Sequence, residues 1–395
     1  MKILIIIDQF SIGGAARVVS RLLDGFCGSG HKVILATKDE DRTKMYPIPL
    51  GVEVVYFEPV SVQRNHSIFD SLSMHRKYIL QCRHWITQYK PDVVISEQTY
   101  LWVFFAALGT RIPVVAHDHT SFLRKVNKSV DFTRYHLYGT SDAVVILTQR
   151  DNKALGKKYP QKRVIYNPLP FGLASAPSRH RRKSILCVGR FDVWQVKGFD
   201  IIVEVFARLS KIHTDWNLEF AGCGTDQSME IIRKMVEEKG IKNRVVFHGQ
   251  VSDMQELYRK VQIFALPSRV EGLPMGLMEA MSQGCACVAF EVGGATNEMI
   301  TQGTSGYYVK DGDVVDFECK LDLLMSDERA SDAMGHNAII ESAKFSLDNV
   351  MKDWNDLLNN LCNKKRAEFL SCLRRRRSAS TSCCFRQKHT HAILG

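Results

Sequence analysis

Apolar residues run along this chain in two rhythms. Short β-rich runs appear at "KILIII" (2–7), "KVILAT" (32–37), "VEVVYF" (52–57), "DVVIS" (92–96), "PVVAH" (113–117), "AVVIL" (143–147) and "RVIYN" (163–167). Between them, stretches such as 15–29 and 72–90 carry apolar residues at helical spacing. Strands of this kind alternating with amphipathic helices predict a parallel, doubly wound α/β sheet.

The rhythm pauses at "PLPFGLASAPSRHRRK" (168–183), where Pro, Ser and basic residues replace the apolar runs. It resumes with "SILCVG" (184–189), "LEFAGCG" (218–224), "VVFHG" (245–249), "IFALPS" (263–268) and "ACVAFE" (286–291). The pause reads as a linker. Two Rossmann-like domains are therefore expected, over 1–170 and 184–347, joined by 171–183. Ligands of such sheets sit at the carboxyl ends of the strands, here in the cleft between domains. A last helix over 348–362 sets Val350, Met351, Trp354, Leu357, Leu358 and Leu361 on one face. Residues 363–395 show no sustained period and are expected to form a basic disordered tail.

Composition adds little until it is located. A chain of 395 residues exceeds what one core supports, and 45% hydrophobic content supplies two. Of the net charge of +11, residues 361–395 carry most, with nine Lys/Arg against the single acid Glu368. A nucleic-acid partner is accordingly not expected of the body, although the tail suits an anionic surface. The eleven cysteines are scattered, with Cys187, Cys285 and Cys287 inside apolar runs, a pattern of free thiols in a reducing cytoplasm. No run reaches the ~18–20 apolar residues that span a bilayer. The opening "MKILIII" leads into "DQFSIGG" without a cleavage site and reads as a buried strand.

The chemistry concentrates after strands of the second half. In "SRVEGLPMGLMEAMSQG" (268–284), Glu271 lies in a loop and Glu279 about one turn inside a helix running from about Met275 through Gln283. Strand, glycine loop and helix N-terminus together make an anion site, because free backbone N–H groups and the positive dipole end face the ligand. Pro274 suits helix position N1, where its missing N–H costs nothing. Two carboxylates at different depths of one pocket also grip hydroxyls. In "VGRFDVWQVKGFD" (188–200), Arg190 and Lys197 leave a strand end with Gly189 and Gly198 allowing tight turns, a pair of cations suited to a diphosphate.

The first half offers weaker signals. "DQFSIGGAARVVSRLL" (8–23) is a strand, Gly13-Gly14 and helix, without a GxGxxG pattern or a Walker lysine. "PVVAHDHTSF" (113–122) puts His117 and His119 beyond a strand end, but no further Cys or His arrives at ligand spacing, so no metal is expected. "KDEDRTK" (38–44) reads as a solvated turn.

Taken in order, "VGRF…KGFD", "ALPSRVEGLPMGLMEAMSQGCACVAF" and "VGGATNE" closely resemble the family-4 retaining glycosyltransferases of the GT-B fold, through the Glu-x7-Glu motif and its Glu-Gly-x-Pro core. The resemblance covers essentially residues 1–362 and implies a final helix crossing back onto the first domain. It also implies the roles. Glu279 would hold the nucleotide ribose, and Glu271 the donor sugar together with the backbone of Gly272, Leu273, Pro274, Met275, Gly276 and Leu277. Arg190, Lys197 and the Gly189 turn would bind the diphosphate, Gly249 and Val251 would flank the base, and Gly13 and Gly14 would close on donor and acceptor. The family's histidine near the transferred sugar falls on His119, with His117 the alternative. The implied reaction moves a sugar from a UDP- or GDP-linked donor to a hydroxyl of a glycan or lipid-linked glycan, with no cofactor and no metal.

Residues 64–90 combine Ile68, Phe69, Leu72, Ile79, Leu80 and Trp85 with Arg76, Lys77, Arg83 and Lys90. Such a helix either packs on its sheet or rests peripherally on an anionic membrane, which would place the protein at the cytoplasmic face. The rival classes are a GT-B phosphorylase or epimerase, and an anionic-surface or nucleic-acid binder acting through the tail. None of these explains paired glutamates beside a phosphate-binding turn.

Overall fold

Among the described residues, thirteen strands form two parallel sheets, each with helices on both faces. The computed structural model describes residues 1–11, 13–59, 68–97, 101–122, 128–159, 161–178, 180–292 and 295–388. The first sheet holds β1 (Lys2–Ile6), β2 (Lys32–Thr37), β3 (Glu53–Tyr56), β4 (Val93–Glu97), β5 (Val114–His117), β6 (Ala143–Ile146) and β7 (Lys162–Val164) in the order β3-β2-β1-β4-β5-β6-β7. The second holds β8 (Arg182–Val188), β9 (Asn217–Ala221), β10 (Val245–Gly249), β11 (Val261–Leu266), β12 (Ala286–Phe290) and β13 (Tyr307–Val309) in the order β10-β9-β8-β11-β12-β13. Both orders reverse beside their first strand. That reversal opens a crevice at the carboxyl edge.

The unbroken apolar runs are explained by burial. Ile3, Leu4, Ile5 and Ile6 are all inaccessible, and alternate residues of β1 join different cores on its two faces. Strand β13, a three-residue edge strand "YYV", has too short a run to be read from the sequence.

Two sequence expectations need correction at the end of the chain. The linker ends at 181 rather than 183, because β8 begins at Arg182, which pairs with Val261. The last helix is not confined to 348–362: one helix runs over Leu347–Lys388, so the expected disordered tail is helical as far as Lys388, and 389–395 lie outside the described residues. The segment contains neither Gly nor Pro, and Ala, Leu, Lys, Arg and Glu are strong helix formers. An apolar period is not required to extend a helix already nucleated by packing.

That packing lies on the first domain. Val350, Met351, Trp354, Leu357, Leu358 and Leu361 join the core formed by β1, β2, β4 and the helix Gly14–Gly28. Trp354 is inaccessible and meets Phe26 edge-on at 5.8 Å. Gly25 permits this approach, since any side chain there would run into Met351. Asn355 bonds to His31 at 2.9 Å and Ser29 at 3.1 Å, and Lys365 pairs with Asp142 at 2.8 Å. Trp354→Ala is expected to cost about 3–5 kcal/mol, the scale for emptying a buried aromatic site. Denaturant unfolding measures this, and a loss below about 1 kcal/mol would show that the helix does not depend on this anchor.

Candidate active site

At the carboxyl edge of the second sheet, two loops are stitched together. Gly198 adopts φ +69°, and any β-carbon there would collide with the Pro267 carbonyl, so only glycine lets the loop after β8 lie against the end of β11. Arg269 N–H donates to the Val196 carbonyl at 2.8 Å, and the Arg269 guanidinium grips Asp200. Lys197 is thereby set beside Glu271, with Nζ 2.7 Å from Oε1. Arg190 stands exposed at the start of the same loop. Gly189 lies under the Lys197 stem, which an added β-carbon would crowd at 2.9 Å.

The helix over Met275–Ser282 begins where the sequence predicts, but Pro274 is its cap residue rather than N1. No side chain caps this end; the Leu277 and Met278 N–H groups bond the Pro274 carbonyl, which leaves those of Met275 and Gly276 for a ligand. Glu279 is not an exposed helix residue. It is 2% accessible, accepts from Tyr258 Oη at 3.2 Å, and lies 2.9 Å from Arg17 Nη1. Burial pushes its carboxyl above the usual range, while Arg17 and the Tyr258 hydroxyl oppose that shift.

Arg17 belongs to the other domain, on the helix Gly14–Gly28. This residue was missed in the sequence, although it follows Gly13-Gly14 by one helical turn and so projects beside the loop they form. Gly13 has φ +98° as the cap of that helix. Asp39 accepts from the N–H groups of Phe10 and Ser11 at 2.5 and 2.8 Å, fixing the loop after β1. The expectation of a merely solvated turn at 38–44 is therefore wrong for Asp39.

Around Arg17 lies an open cavity of about 670 Å³ lined by Tyr46, Phe171, Val251, Ser252 and Asp253 among others. Gly249, at φ +65°, closes β10 just before this wall. Two further contacts cross the cleft. Gly272 lies against the His119 carbonyl, with space of 3.6 Å to an added β-carbon. Glu298 accepts from the backbone N–H groups of Gln149 and Arg150, both at 2.9 Å, and from Tyr166 Oη at 3.0 Å. Glu298 was quoted within "VGGATNE" without a role, and the Gly293-Gly294 part of that run lies outside the described residues.

The two histidines have different surroundings. His117 is 2% accessible and meets Trp354 edge-on at 5.1 Å, so it belongs to the core. His119 lies at the domain seam, with Nε2 2.6 Å from Glu97 Oε2. His117 Nδ1 is 2.8 Å from the same oxygen. Among the described residues these three have ligand atoms within 4.8 Å of one another, close enough to hold a metal ion. His119 Nε2 hydrogen-bonds the Glu97 oxygen, whereas His117 Nδ1 lies near it without a hydrogen bond.

The basic helix in the first domain packs on its sheet with part of its apolar face. Over Ile68–Tyr89, Tyr78, Cys82, Trp85 and Ile86 are buried against the sheet, so Trp85 is not available to a membrane. Leu72 and Leu80 remain exposed, and Arg83 donates to the Ala106 and Leu108 carbonyls. Among the described residues no helix is long and apolar enough to cross a membrane.

Two facing Rossmann-like domains, with cations, carboxylates and an uncapped helix end at their opposed carboxyl edges, define an α/β enzyme of the GT-B fold. HepE from Anabaena in complex with UDP superposes over 91% of this chain and all of its own length, with a TM-score of 0.74 and 17% identity. Residues 12–170 match the family model "Glycosyltransferase Family 4", and residues 182–327 match "Glycosyl transferases group 1". The chain belongs to the family-4 glycosyltransferases and is a glycosyltransferase enzyme. It is 25% identical over 91% of its length to the Campylobacter jejuni "GalNAc-alpha-(1->4)-GalNAc-alpha-(1->3)-diNAcBac-PP-undecaprenol alpha-1,4-N-acetyl-D-galactosaminyltransferase", covering 98% of that protein. It is also 25% identical over 83% of its length to the lipopolysaccharide 1,6-galactosyltransferase of Salmonella typhimurium, covering 90% of that protein.

Proposed function

We propose that the protein transfers a sugar, with retention, from a UDP- or GDP-linked donor to a hydroxyl of a glycan or lipid-linked glycan during synthesis of a cell-surface polysaccharide or lipopolysaccharide. The observation that carries this reading is the convergence of Lys197, Glu271, Glu279 and the Met275–Ser282 helix end on one edge of the cleft, facing Arg17 and His119 from the other domain. The relatives' named acceptors, an undecaprenol-PP-linked glycan and lipopolysaccharide, support the acceptor class. The UDP bound to HepE supports UDP as the base to test first.

In this reading the ribose hydroxyls donate to Glu279 and the sugar lies against Glu271. Arg190, Lys197 and the helix N-terminus take the diphosphate. The bond from the anomeric carbon to the phosphate oxygen breaks as the acceptor oxygen attacks from the same face. The acceptor's proton passes to the departing phosphate oxygen, so no side-chain nucleophile is required. Catalysis is then positional and electrostatic, and two cations neutralise the leaving group without calling on a metal ion.

A thermal-shift panel of UDP, GDP, ADP and their common sugar conjugates, with and without EDTA, tests this. Stabilisation by one nucleotide that survives EDTA is expected. If EDTA abolishes it, the metal-independent part of the proposal fails. If no nucleotide shifts the transition, the donor site has been assigned wrongly.

A further inference from the structure

Glu97 ends β4 and His117 ends β5, and the sheet register sets them side by side. His119 follows two residues later and returns its ring, so that a single oxygen, Glu97 Oε2, has His119 Nε2 at 2.6 Å and His117 Nδ1 at 2.8 Å. Glu97 is inaccessible to solvent.

The position of the protons follows from the charges. Burial pushes the Glu97 carboxyl up, but the two histidines outweigh it and hold it at about 2. Burial pushes His117 down, which keeps that ring neutral. An ionised carboxylate can only accept, so the ring nitrogen facing it must carry the N–H. For His119 that nitrogen is Nε2, and in a neutral imidazole the opposite nitrogen then presents a lone pair. His119 Nδ1 is buried and has no hydrogen-bond partner among the described residues. A buried acceptor without a donor is costly unless a ligand supplies one. The backbone of this residue already abuts Gly272, in the loop that carries Glu271.

We infer that Glu97 is a positioning residue, which fixes His119 as the Nε2–H tautomer and so presents Nδ1 as the acceptor for a sugar hydroxyl at the domain seam. This rests on the glycosyl-transfer reading for the identity of the hydroxyl, but not for the tautomer. The arrangement also explains why two histidines stand so close, with ring centroids 4.2 Å apart. Both rings face one shared carboxylate oxygen. His117 buttresses the carboxylate from the core side, and Trp354 of the last helix holds His117.

Two-bond 1H–15N correlation spectra of the full-length protein labelled with 15N-histidine, at neutral pH and without ligand, report which nitrogen of each ring is protonated. We expect His119 neutral with its proton on Nε2. An Nδ1–H tautomer or an imidazolium would overturn the inference, as would displacement of both N–H protons by one equivalent of Zn2+, which would make the cluster a metal site. In Glu97→Gln, the side-chain amide both donates and accepts, so the single tautomer should become a mixture. The turnover number should fall about tenfold, the worth of one misdirected hydrogen bond, while stabilisation by UDP stays as in the wild type. An unchanged tautomer or an unchanged turnover number in E97Q would sink the assignment. Absence of UDP stabilisation in the wild type would instead remove the donor-site reading and leave the tautomer result standing.

Discussion

Lys197→Ala is expected to lower the turnover number by at least about two orders of magnitude, with a similar loss for Arg190→Ala. In the proposed reaction the transition state releases a diphosphate whose charge grows as its bond to the anomeric carbon breaks. A preorganised cation at that place contributes on the order of 3 kcal/mol, the scale of removing one oxyanion donor. Lys197 is held ready by Glu271 at 2.7 Å and keeps about a quarter of its side chain accessible, which leaves the ammonium within reach of a ligand. Its removal would also leave the Glu271 carboxylate unopposed beside a departing anion, adding repulsion to lost attraction. Release of nucleoside diphosphate in a single turnover measures the effect. Near-normal turnover in both variants would dismiss the diphosphate assignment.

For Glu279→Ala the expected loss is in nucleotide affinity, on the order of tenfold to a hundredfold, because hydrogen bonds to a charged group contribute about 1.5–3 kcal/mol. The lower end is expected because Arg17 already sits 2.9 Å from this carboxylate, so a bound ribose would replace one partner with another. Tyr258 at 3.2 Å keeps the carboxylate in place while the exchange occurs. Titration calorimetry with the nucleotide identified by the thermal panel decides the matter. Equal affinities for wild type and variant would contradict the ribose role, whereas a changed turnover number with unchanged affinity would move Glu279 from binding to catalysis.

Strands such as β6 and β12 were legible because each is an unbroken apolar run, and burial on both faces demands such a run. The loop carrying Glu271 and the helix carrying Glu279 were legible because strand, glycine and proline occur in a spacing that fixes a helix start. Arg17 and Glu97 were not. Arg17 looks like a solvated position on an amphipathic helix, and only the meeting of two domains supplies its partner. Glu97 left a signal in "VVISE", where a carboxylate occupies the buried end of an apolar strand and so calls for a donor from a neighbouring strand. The basic end of the chain misled for the opposite reason. Composition suggested disorder, while local helix propensity extended a helix anchored by Trp354.

The pair between Arg17 and Glu279 has a consequence in time as well as in affinity. If the ribose takes Glu279, a donor molecule cannot seat until an arginine has swung away, whatever its concentration outside. The observed association rate would then rise with donor concentration and level off at the rate of that swing, a ceiling set by one side chain on one helix. Shortening that side chain would lift the ceiling and leave the two halves of the molecule less firmly drawn together between rounds.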